Sequence, residues 1–424
     1  MIDLELLRKD PEKVKRGVVD KQLDVSLVDR ALELDKKRLE LLREVEKLRA
    51  DRNKFAKAAG SESTPARRAK DIGKGKELKA KLQGLESKLD EAEKEFNEVF
   101  TEIPNLALPQ VPVGKNDKGN VEVRKWGEPK VFDFEPKDHL ELGKNLGILD
   151  FETGAKVSGS QFYFLYGDGA LLELALISYA FELLSKEGFR PVITPDLAKS
   201  RFYLGTGYVP KGNEAQTYTI NGEDLGLIAT AEVTLAGKHA DEVIPEDQLP
   251  QKYIGYSHCF RQEAGAYGKY SKGLYRVHQF TKAEMFIYCK PEESEAMHQH
   301  ILAMEEKIYQ ELGLPYRVLE MCTGDLGAMA AQKFDIEAWM PTRGEYGEVT
   351  STSNCTDYQA RNLNIKFKRK DGKNEYAHML NGTAIATSRT PLAILENFQQ
   401  ADGSIIIPEV LRKWMGKEKI DSYR

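Results

Sequence analysis

Two stretches in the first quarter of the chain carry apolar residues at alternating spacings of four and three. This spacing is typical of helices that pack along one apolar stripe. Because a single break around Pro65 separates the stretches, they predict an antiparallel coiled-coil arm of about 33 residues per helix, roughly 50 Å long. The repeating positions are Leu27, Ala31, Leu34, Arg38, Leu41, Val45, Leu48, Arg52 and Phe55, then Leu78, Leu82, Leu85, Leu89, Ala92, Phe96, Val99 and Ile103.

Charge is unevenly distributed along this arm. Between Lys47 and Lys81 there are twelve basic and four acidic residues, whereas the whole chain has a net charge of −5. Such a run is often only a solvated helix face, but a basic tip on an arm is also what binding to a phosphate backbone requires. Both interpretations stay open on composition alone. No apolar run approaches the 18 residues that a membrane span needs, so we expect no membrane partner.

Prolines from Pro104 to Pro112 end the second helix and predict a domain boundary. Residues 1–104 form the predicted arm and residues 105–424 an α+β body. Predicted strands follow one another closely, which favours an antiparallel sheet with flanking helices. The predicted helices are Pro136–Leu146, Gly169–Glu187, Pro291–Leu312 and one beginning at Pro391. Beside the hairpin described below, the predicted strands are Val192–Thr194, Tyr218–Ile220, Gly226–Ile228, Arg317–Glu320, Phe334–Met340, Gly347–Thr352, Asn364–Phe367, Tyr376–Leu380 and Thr383–Thr387.

The cysteines and the N-terminus indicate the cellular compartment of the protein. Four widely spaced cysteines without a C-x-x-C pair predict buried free thiols rather than a zinc site or a disulfide framework. The start, Met1–Glu5, resembles neither a secretory signal nor an Arg/Ser-rich transit peptide. We therefore expect a cytoplasmic protein, or one of an organelle matrix if a transit peptide has been removed.

The stretch Cys259–Phe280, continuing to Glu284, predicts two strands joined by a Gly/Lys/Ser-rich loop at residues 264–273. Since strand side chains alternate between faces, Arg261 and Glu263 should share one face of the first strand, and Arg276, Phe280 and Glu284 one face of the second. All five should then converge on one surface of the sheet. Guanidinium groups, a ring and carboxylates suit a nucleotide with a polyphosphate; a solvated, salt-bridged hairpin is the alternative. The P-loop and dinucleotide-binding glycine motifs are both absent from the sequence.

Three further clusters accompany the hairpin: Gly188–Pro195, Thr230–Glu232 and the C-terminal residues from Phe334 to Pro391. Singly, each has an ordinary structural explanation. Together they resemble the class II aminoacyl-tRNA synthetases. The hairpin is similar to motif 2 of that class, Gly188–Pro195 to motif 1, and Asn381–Pro391 to motif 3. The coiled-coil arm, Thr230–Glu232 and Glu348–Cys355 resemble the seryl-tRNA synthetase family within that class.

The resemblance implies an antiparallel-sheet catalytic domain that joins L-serine to tRNA through a seryl-adenylate. Arg261, Arg389 and Glu348 are the implied catalytic residues, and Glu348 and Ser351 the implied Mg²⁺ ligands, with no zinc expected. The implied ATP-binding residues are Arg261, Gln262, Glu263, Arg276, Val277, Phe280, Glu348, Val349, Thr350, Ser351 and Arg389. The implied serine-binding residues are Thr230, Ala231, Glu232, Arg261, Glu284, Asn381 and Thr383.

The resemblance also implies partners. They are tRNA(Ser), possibly tRNA(Sec), and a second copy of the chain in a homodimer, but not DNA. The basic segment 47–81 would contact the tRNA. His258 and His278 are expected to be structural, because an ionised carboxylate nucleophile needs no general base. Two alternatives remain: a synthetase-like binding module without charging activity, and a threonyl or prolyl member of the class.

Overall fold

The computed structural model describes residues 1–60, 64–208, 217–263 and 273–422. The chain divides into two compact units, Met1–Leu106 and Ala107–Arg424. The prolines predicted to mark the boundary begin two residues before the end of the first unit. Within the described ranges, none of the helices has the length and apolar character needed to cross a membrane.

The N-terminal unit is entirely helical. Its helices are α1 (Leu4–Lys9), α2 (Pro11–Asp20), α3 (Ser26–Gly60) and α4 (Pro65–Glu102). The long helices α3 and α4 pack along one another, and every predicted repeat position is buried or half-buried. Arg38, one of the two arginines in the repeat, makes a cation–π contact across the pair, with its guanidinium 4.8 Å from the centre of the Phe96 ring. The predicted coiled-coil arm is therefore confirmed.

The second unit is built on an eight-stranded sheet with the order β1-β10-β11-β12-β15-β9-β8-β4. All neighbours are antiparallel except β4 and β8, which are parallel, so the predicted antiparallel α+β class is confirmed. Its strands are β1 (Val121–Trp126), β4 (Arg190–Ile193), β8 (Gln251–Phe260), β9 (Gln279–Cys289), β10 (Tyr316–Glu320), β11 (Gln332–Met340), β12 (Glu345–Asn354) and β15 (His378–Ala386). The shorter strands are β2 (Leu149–Asp150), β3 (Phe164–Leu165), β5 (Leu197–Ala198), β6 (Gly226–Leu227), β7 (Val243–Pro245), β13 (Lys366–Lys368), β14 (Asn374–Tyr376), β16 (Ile405–Ile406) and β17 (Lys419–Ile420).

Helices flank this sheet. They are α5 (His139–Asn145), α6 (Phe151–Ser158), α7 (Asp168–Lys186), α8 (Ser200–Thr206), α9 (Glu232–Gly237), α10 (Ser294–Glu311), α11 (Tyr358–Leu363), α12 (Arg389–Phe398) and α13 (Glu409–Met415). All four predicted helices are present. The helices α6, α8, α9, α11 and α13 were not predicted, because six to eight residues are too few to show a helical apolar period.

The two faces of the central strands pack into different cores. On β9, Ala283, Met285 and Ile287 belong to the large core that includes α7, α10 and α12. Phe286 and Tyr288 point the other way, into a smaller core with residues of α9, α11 and β13. The remaining even-numbered residues of β9 share the face of Phe286 and Tyr288. That face carries the candidate site.

The prediction of separate strands at Tyr376–Leu380 and Thr383–Thr387 is wrong. A single strand, β15, joins most of both segments and runs without a break through Asn381 and Gly382, whereas Tyr376 ends β14. Gly382 is needed there because a Cβ at this position would overlap the Cγ2 atom of Ile301 on α10. The glycine thus marks a close approach of α10 to β15, which is a common reason for glycine inside a strand.

Candidate active site

The first arginine of the site follows β8 instead of lying in it. That strand ends at Phe260, and Glu263 has a left-handed backbone with a φ of 48°. Arg276 likewise precedes β9, which begins at Gln279. Strand alternation is therefore the wrong reason for grouping these three residues. The structure nevertheless pairs two of them, with 2.7 Å between Arg276 Nη1 and Glu263 Oε2. Most of the predicted loop, residues 264–272, lies outside the described residues.

Aromatic rings and guanidinium groups alternate at one end of the site. The guanidinium of Arg261 lies 5.3 Å from the centre of the Phe280 ring. The ring of Tyr275 is contacted by Arg389 at 4.7 Å and by Arg343 at 4.1 Å. Such cation–π contacts hold long arginine side chains over the rings. Arg261 and Arg389 line one cavity, to which Arg276 also contributes, and guanidinium groups arranged in this way suit a polyphosphate.

Glu348 supplies the negative charge opposite these arginines. Its Oε1 atom lies 3.0 Å from Arg389 Nη1. Burial would raise the pKa of Glu348, but the positive charges of Arg389 and Lys333 outweigh it and lower the pKa to about 2. The carboxylate is therefore ionised at neutral pH. Ser351 lies opposite Asp335 where β12 pairs with β11, and it lines the same cavity as Glu348.

An ionised carboxylate and a hydroxyl are hard oxygen donors of the kind that Mg²⁺ prefers, and this ion usually takes only one or two protein ligands beside phosphate oxygens. Glu348 and Ser351 fit that requirement. Within the described ranges, His, Cys, Asp and Glu side chains form no cluster of three or more that could hold a metal by itself. The four cysteines are free and buried.

The other end of the site is built around Glu284 on β9. Its Oε2 atom is 2.5 Å from Lys282 Nζ and accepts a hydrogen bond of 3.3 Å from the Thr383 hydroxyl. Thr383 reaches Glu284 because β15 pairs with β9 and places the two residues opposite one another. The three side chains are buried. They form a small polar cluster between the two strands.

A second buried carboxylate, Glu232, begins α9. Its Oε1 atom accepts hydrogen bonds from Gln359 Nε2 at 2.7 Å and Asn381 Nδ2 at 3.0 Å. Its Oε2 atom accepts one from the Tyr208 hydroxyl at 3.0 Å. Burial and the negative charge of Glu284 raise the pKa of Glu232 to about 7, although Gln359 opposes this rise.

Thr230 and Ala231 set the position of Glu232. Both are completely buried, and the Thr230 hydroxyl accepts a hydrogen bond of 3.3 Å from the backbone N–H of Glu232. Since α9 begins at this carboxylate, the preceding two residues fix where the helix enters the site. The predicted Thr-Ala-Glu segment therefore acts locally as a helix start that aims one acidic side chain.

Eleven of the predicted residues line one cavity. Gln262 does not, because its side chain donates to the carbonyl of Thr217 at 3.0 Å. Among the predicted serine-binding residues other than Arg261, Thr383 reaches the lining, whereas Glu284 lies behind it. The cavity holds about 50 Å³, compared with roughly 300–1,000 Å³ in typical ligand pockets. A nucleotide would therefore require side chains such as Arg261 to move. The predicted residues in the lining are Arg261, Glu263, Arg276, Val277, Phe280, Glu348, Val349, Thr350, Ser351, Thr383 and Arg389.

Both histidines beside the hairpin contact protein groups. The Nδ1 atom of His258 is 2.8 Å from Asp196 Oδ2, and the Nδ1 atom of His278 is 2.9 Å from the carbonyl oxygen of Arg261. The second contact fixes the backbone at the point where Arg261 leaves β8. These contacts agree with structural roles for both rings.

Residues that the sequence did not single out complete the site. Lys282, Tyr275, Tyr208 and Gln359 all contact predicted site residues. Lys282 could have been found, because it lies between Phe280 and Glu284 at the two-residue period of one strand face. The others could not, since no local pattern connects Gln359 with Glu232, 127 residues earlier.

Models of known protein families match both units. The seryl-tRNA synthetase N-terminal domain matches residues 1–107. The tRNA synthetase class II core domain (G, H, P, S and T) matches residues 216–398. The second match spans the hairpin, Glu348 and Arg389, which contribute to the cavity described above.

Whole-length relatives point the same way. The serine–tRNA ligase of Dictyoglomus turgidum is 54% identical over 99% of both chains, and that of Treponema denticola is 51% identical over 99% of this chain and 100% of its own. Among solved structures, seryl-tRNA synthetase from Pyrococcus horikoshii complexed with ATP has a TM-score of 0.90 at 42% identity, with all of both chains covered. Cytoplasmic serine–tRNA ligase from Naegleria fowleri in complex with AMP has a TM-score of 0.86 at 34% identity, covering 100% of this chain and 99% of its own.

Prolyl-tRNA synthetase from Giardia lamblia shares the fold alone, with a TM-score of 0.55 at 16% identity. The serine–tRNA ligases, by contrast, match across both units, from the helical arm to the end of the sheet domain. The resemblance seen in the sequence motifs is thereby confirmed, and the chain belongs to the seryl-tRNA synthetase family.

Proposed function

We propose that this protein attaches L-serine to tRNA(Ser) in an ATP-dependent reaction that proceeds through seryl-adenylate. The observation that carries the proposal is the arrangement of the site. Arginines and an aromatic ring lie at one end, Glu284 and Thr383 lie at the other, and both groups face one side of the same sheet. The negatively charged phosphates of ATP can therefore bind at the arginines and the positively charged ammonium of serine at Glu284, so that the two substrates meet between them.

In the first step, a carboxylate oxygen of serine bonds to the α-phosphorus of ATP, and the bond to pyrophosphate breaks. Arg261 contacts the α-phosphate and the serine carboxylate, while Arg276 and Arg389 hold the outer phosphates. Phe280 stacks on adenine, and Glu263 and the backbone of Val277 contact the base edge or its surroundings. Val349 and Thr350 form the cavity wall between Glu348 and Ser351. The rate then depends on positioning and charge neutralisation.

Magnesium fits the same site. Glu348 and Ser351 would hold Mg²⁺ through their side-chain oxygens, since their donor chemistry suits this ion. When bound, Mg²⁺ neutralises phosphate charge and orients the polyphosphate. Glu348 also forms an ion pair with Arg389. Its negative carboxylate therefore keeps the arginine in position beside the phosphates.

Serine is selected by its ammonium and hydroxyl groups. We assign these contacts to four residues, with Ala231 and Asn381 beside them. The four are Thr230, Glu232, Glu284 and Thr383. A pocket that hydrogen-bonds the substrate hydroxyl rejects alanine strongly, because alanine would leave buried polar groups without partners. Threonine must be excluded by the limited space, which is a weaker discrimination.

In the second step, a hydroxyl of the tRNA 3′-terminal ribose bonds to the carbonyl carbon of the adenylate, and AMP leaves. We assign tRNA binding to the arm, residues 1–104 with the basic segment 47–81, and both chemical steps to residues 105–424. Phosphate contacts from Lys and Arg suit recognition of an RNA shape. A homodimer, a cytoplasmic location and serylation of tRNA(Sec) where that tRNA exists complete the proposal.

Amino-acid-dependent exchange of pyrophosphate with ATP tests the first step. We expect exchange with serine but not with threonine or proline, followed by charging of tRNA(Ser). Folded protein that shows no exchange with serine would be a synthetase-like binding module. Exchange supported only by threonine or proline would assign the chain a different amino acid.

A further inference from the structure

An ion pair lies inside the proposed serine pocket. Lys282 Nζ is 2.5 Å from Glu284 Oε2 and 3.3 Å from the Thr383 hydroxyl. The side chains of Lys282 and Glu284 are only 7% and 2% exposed. The lysine therefore occupies the contacts with Glu284 and Thr383 that the proposed function gives to the ammonium and hydroxyl of serine.

The position of Lys282 along β9 is equally informative. Phe280, Lys282 and Glu284 follow one another on the same face, at about 7 Å per step. Under the proposed function, the first of these stacks on adenine and the third binds the serine ammonium. The bond that forms in the first step lies between those two groups, so Lys282 is the member of this face nearest to the reacting serine carboxylate. Its side chain also lines the cavity.

We infer that Lys282 is a substrate-binding residue whose ion pair with Glu284 is opened by serine. The amino acid arrives as a zwitterion and inserts into the pair, so that its ammonium binds Glu284 and its carboxylate binds Lys282. Each protein charge exchanges one partner for another of the same sign. Neither is left buried without a partner, a state that would be costly.

This inference rests on the proposed function, and it makes a demand that a structural ion pair would not make. A ligand with the ammonium and hydroxyl but no carboxylate must displace Lys282 without offering it a negatively charged partner. L-serinamide is such a ligand. Because losing one partner of a buried charge pair costs about 2–5 kcal/mol, serinamide should bind the unaltered protein at least about 30-fold more weakly than serine.

The test is calorimetric titration of the full-length protein with L-serine and with L-serinamide, before and after Lys282→Met. In the variant, we expect serine to bind at least about tenfold more weakly, because its carboxylate has lost a partner. Serinamide should bind no more weakly than before, since no lysine needs to be displaced. Equal weakening of both ligands would indicate a structural role and overturn the inference, as would unchanged binding of serine.

Controls separate folding from recognition. Lys282→Gln, whose amide can donate to Glu284, is titrated in parallel with the same expectations, and ATP binding reports whether each variant is folded. Lys417→Met removes the partner of the buried carboxylate of Asp168, 2.8 Å from Lys417 Nζ, outside the cavity. It should lower the thermal unfolding midpoint without changing the serine-to-serinamide ratio. Absence of serine-dependent pyrophosphate exchange in the unaltered protein would instead refute the proposed function itself.

Discussion

Three carboxylates of the site differ in the groups that surround them. Glu348 faces Arg389 and Lys333, which lower its pKa to about 2 against the effect of burial. Glu284 pairs with Lys282. Glu232 has neutral hydrogen-bond donors and a negative neighbour, so burial and Glu284 raise its pKa to about 7. Glu232 therefore changes its charge near neutral pH, whereas Glu348 stays ionised there.

Glu232 should give the protein a pH dependence that Glu232→Gln removes. Because its pKa is raised on folding, the folded protein holds this proton up to about pH 7, whereas the unfolded chain releases it near pH 4.5. Stability from this group is therefore present at low pH and is lost as the pH rises through that interval. Thermal unfolding is measured at about pH 6 and pH 8. The unfolding midpoint of the variant, relative to that of the original protein, should be higher at about pH 8 than at about pH 6. An equal difference at both values would contradict the raised pKa.

Arg261 should be required for the first chemical step. We expect Arg261→Ala to reduce serine-dependent pyrophosphate exchange by at least about a hundredfold, as expected when a preorganised charge beside the reacting group is lost. The fold should persist, because the guanidinium is only partly buried and its contacts are a ring and one carbonyl at 3.5 Å. Circular dichroism and the unfolding midpoint provide the control. Exchange close to the original rate would remove Arg261 from its proposed role.

Among the elements, β15 determines how the serine end is assembled. Its register with β9 shifts between Thr383 and Ile385. The irregularity turns both Ala384 and Ile385 toward the large core, while Thr383 stays beside Glu284. Bulges of this kind commonly redirect side chains near active sites. Within three consecutive residues, β15 therefore contributes side chains both to the large core and to the pocket.

The same substitution should have opposite effects in two elements. Gly382→Ala should lower the free energy of unfolding by about 1–3 kcal/mol, because the new methyl group would overlap Ile301 and lie 2.7 Å from Glu305 Oε1. Gly84→Ala should raise it by about 0.5–1 kcal/mol, since this α4 position has open space around it. Scanning calorimetry of the full chain measures both. A Gly382→Ala protein as stable as the original would show that helix and strand can separate freely.

At the scale of the whole molecule, the proposed function assigns tRNA binding to the first unit and both chemical steps to the second. The arm buries its repeat positions between α3 and α4, and the sheet domain holds every predicted catalytic residue. The described residues that line the cavity all belong to the second unit. Adenylate formation and tRNA binding should therefore be separable.

Deletion of Val25–Ile103 should leave serine-dependent pyrophosphate exchange within about threefold of the original, because no cavity residue is removed. Charging of tRNA(Ser) should fall by at least about a hundredfold, as phosphate contacts supply much of the affinity for nucleic acid. A matched variant with four lysines of segment 47–81 changed to glutamine keeps the helices and should show the same pattern. Charging by the deletion variant with ordinary affinity would mean that the arm is not the tRNA-binding element.

The sequence by itself determined the features that depend on neighbours along the chain. The four-and-three repeat predicted the arm, and strand alternation placed Phe280 and Glu284 on one face correctly. Strand alternation was the wrong rule for Arg261, Glu263 and Arg276. These residues lie beyond the ends of β8 and β9, where the hydrogen-bonded pairing of the strands stops. Only the tertiary structure decided those ends and the continuity of β15 through Gly382. It also decided the contacts and the raised pKa of Glu232. Two of those contacts come from Gln359 and Asn381, more than a hundred residues away, and the pKa is raised by burial and by Glu284. Burial and long-range pairing leave no period in a sequence.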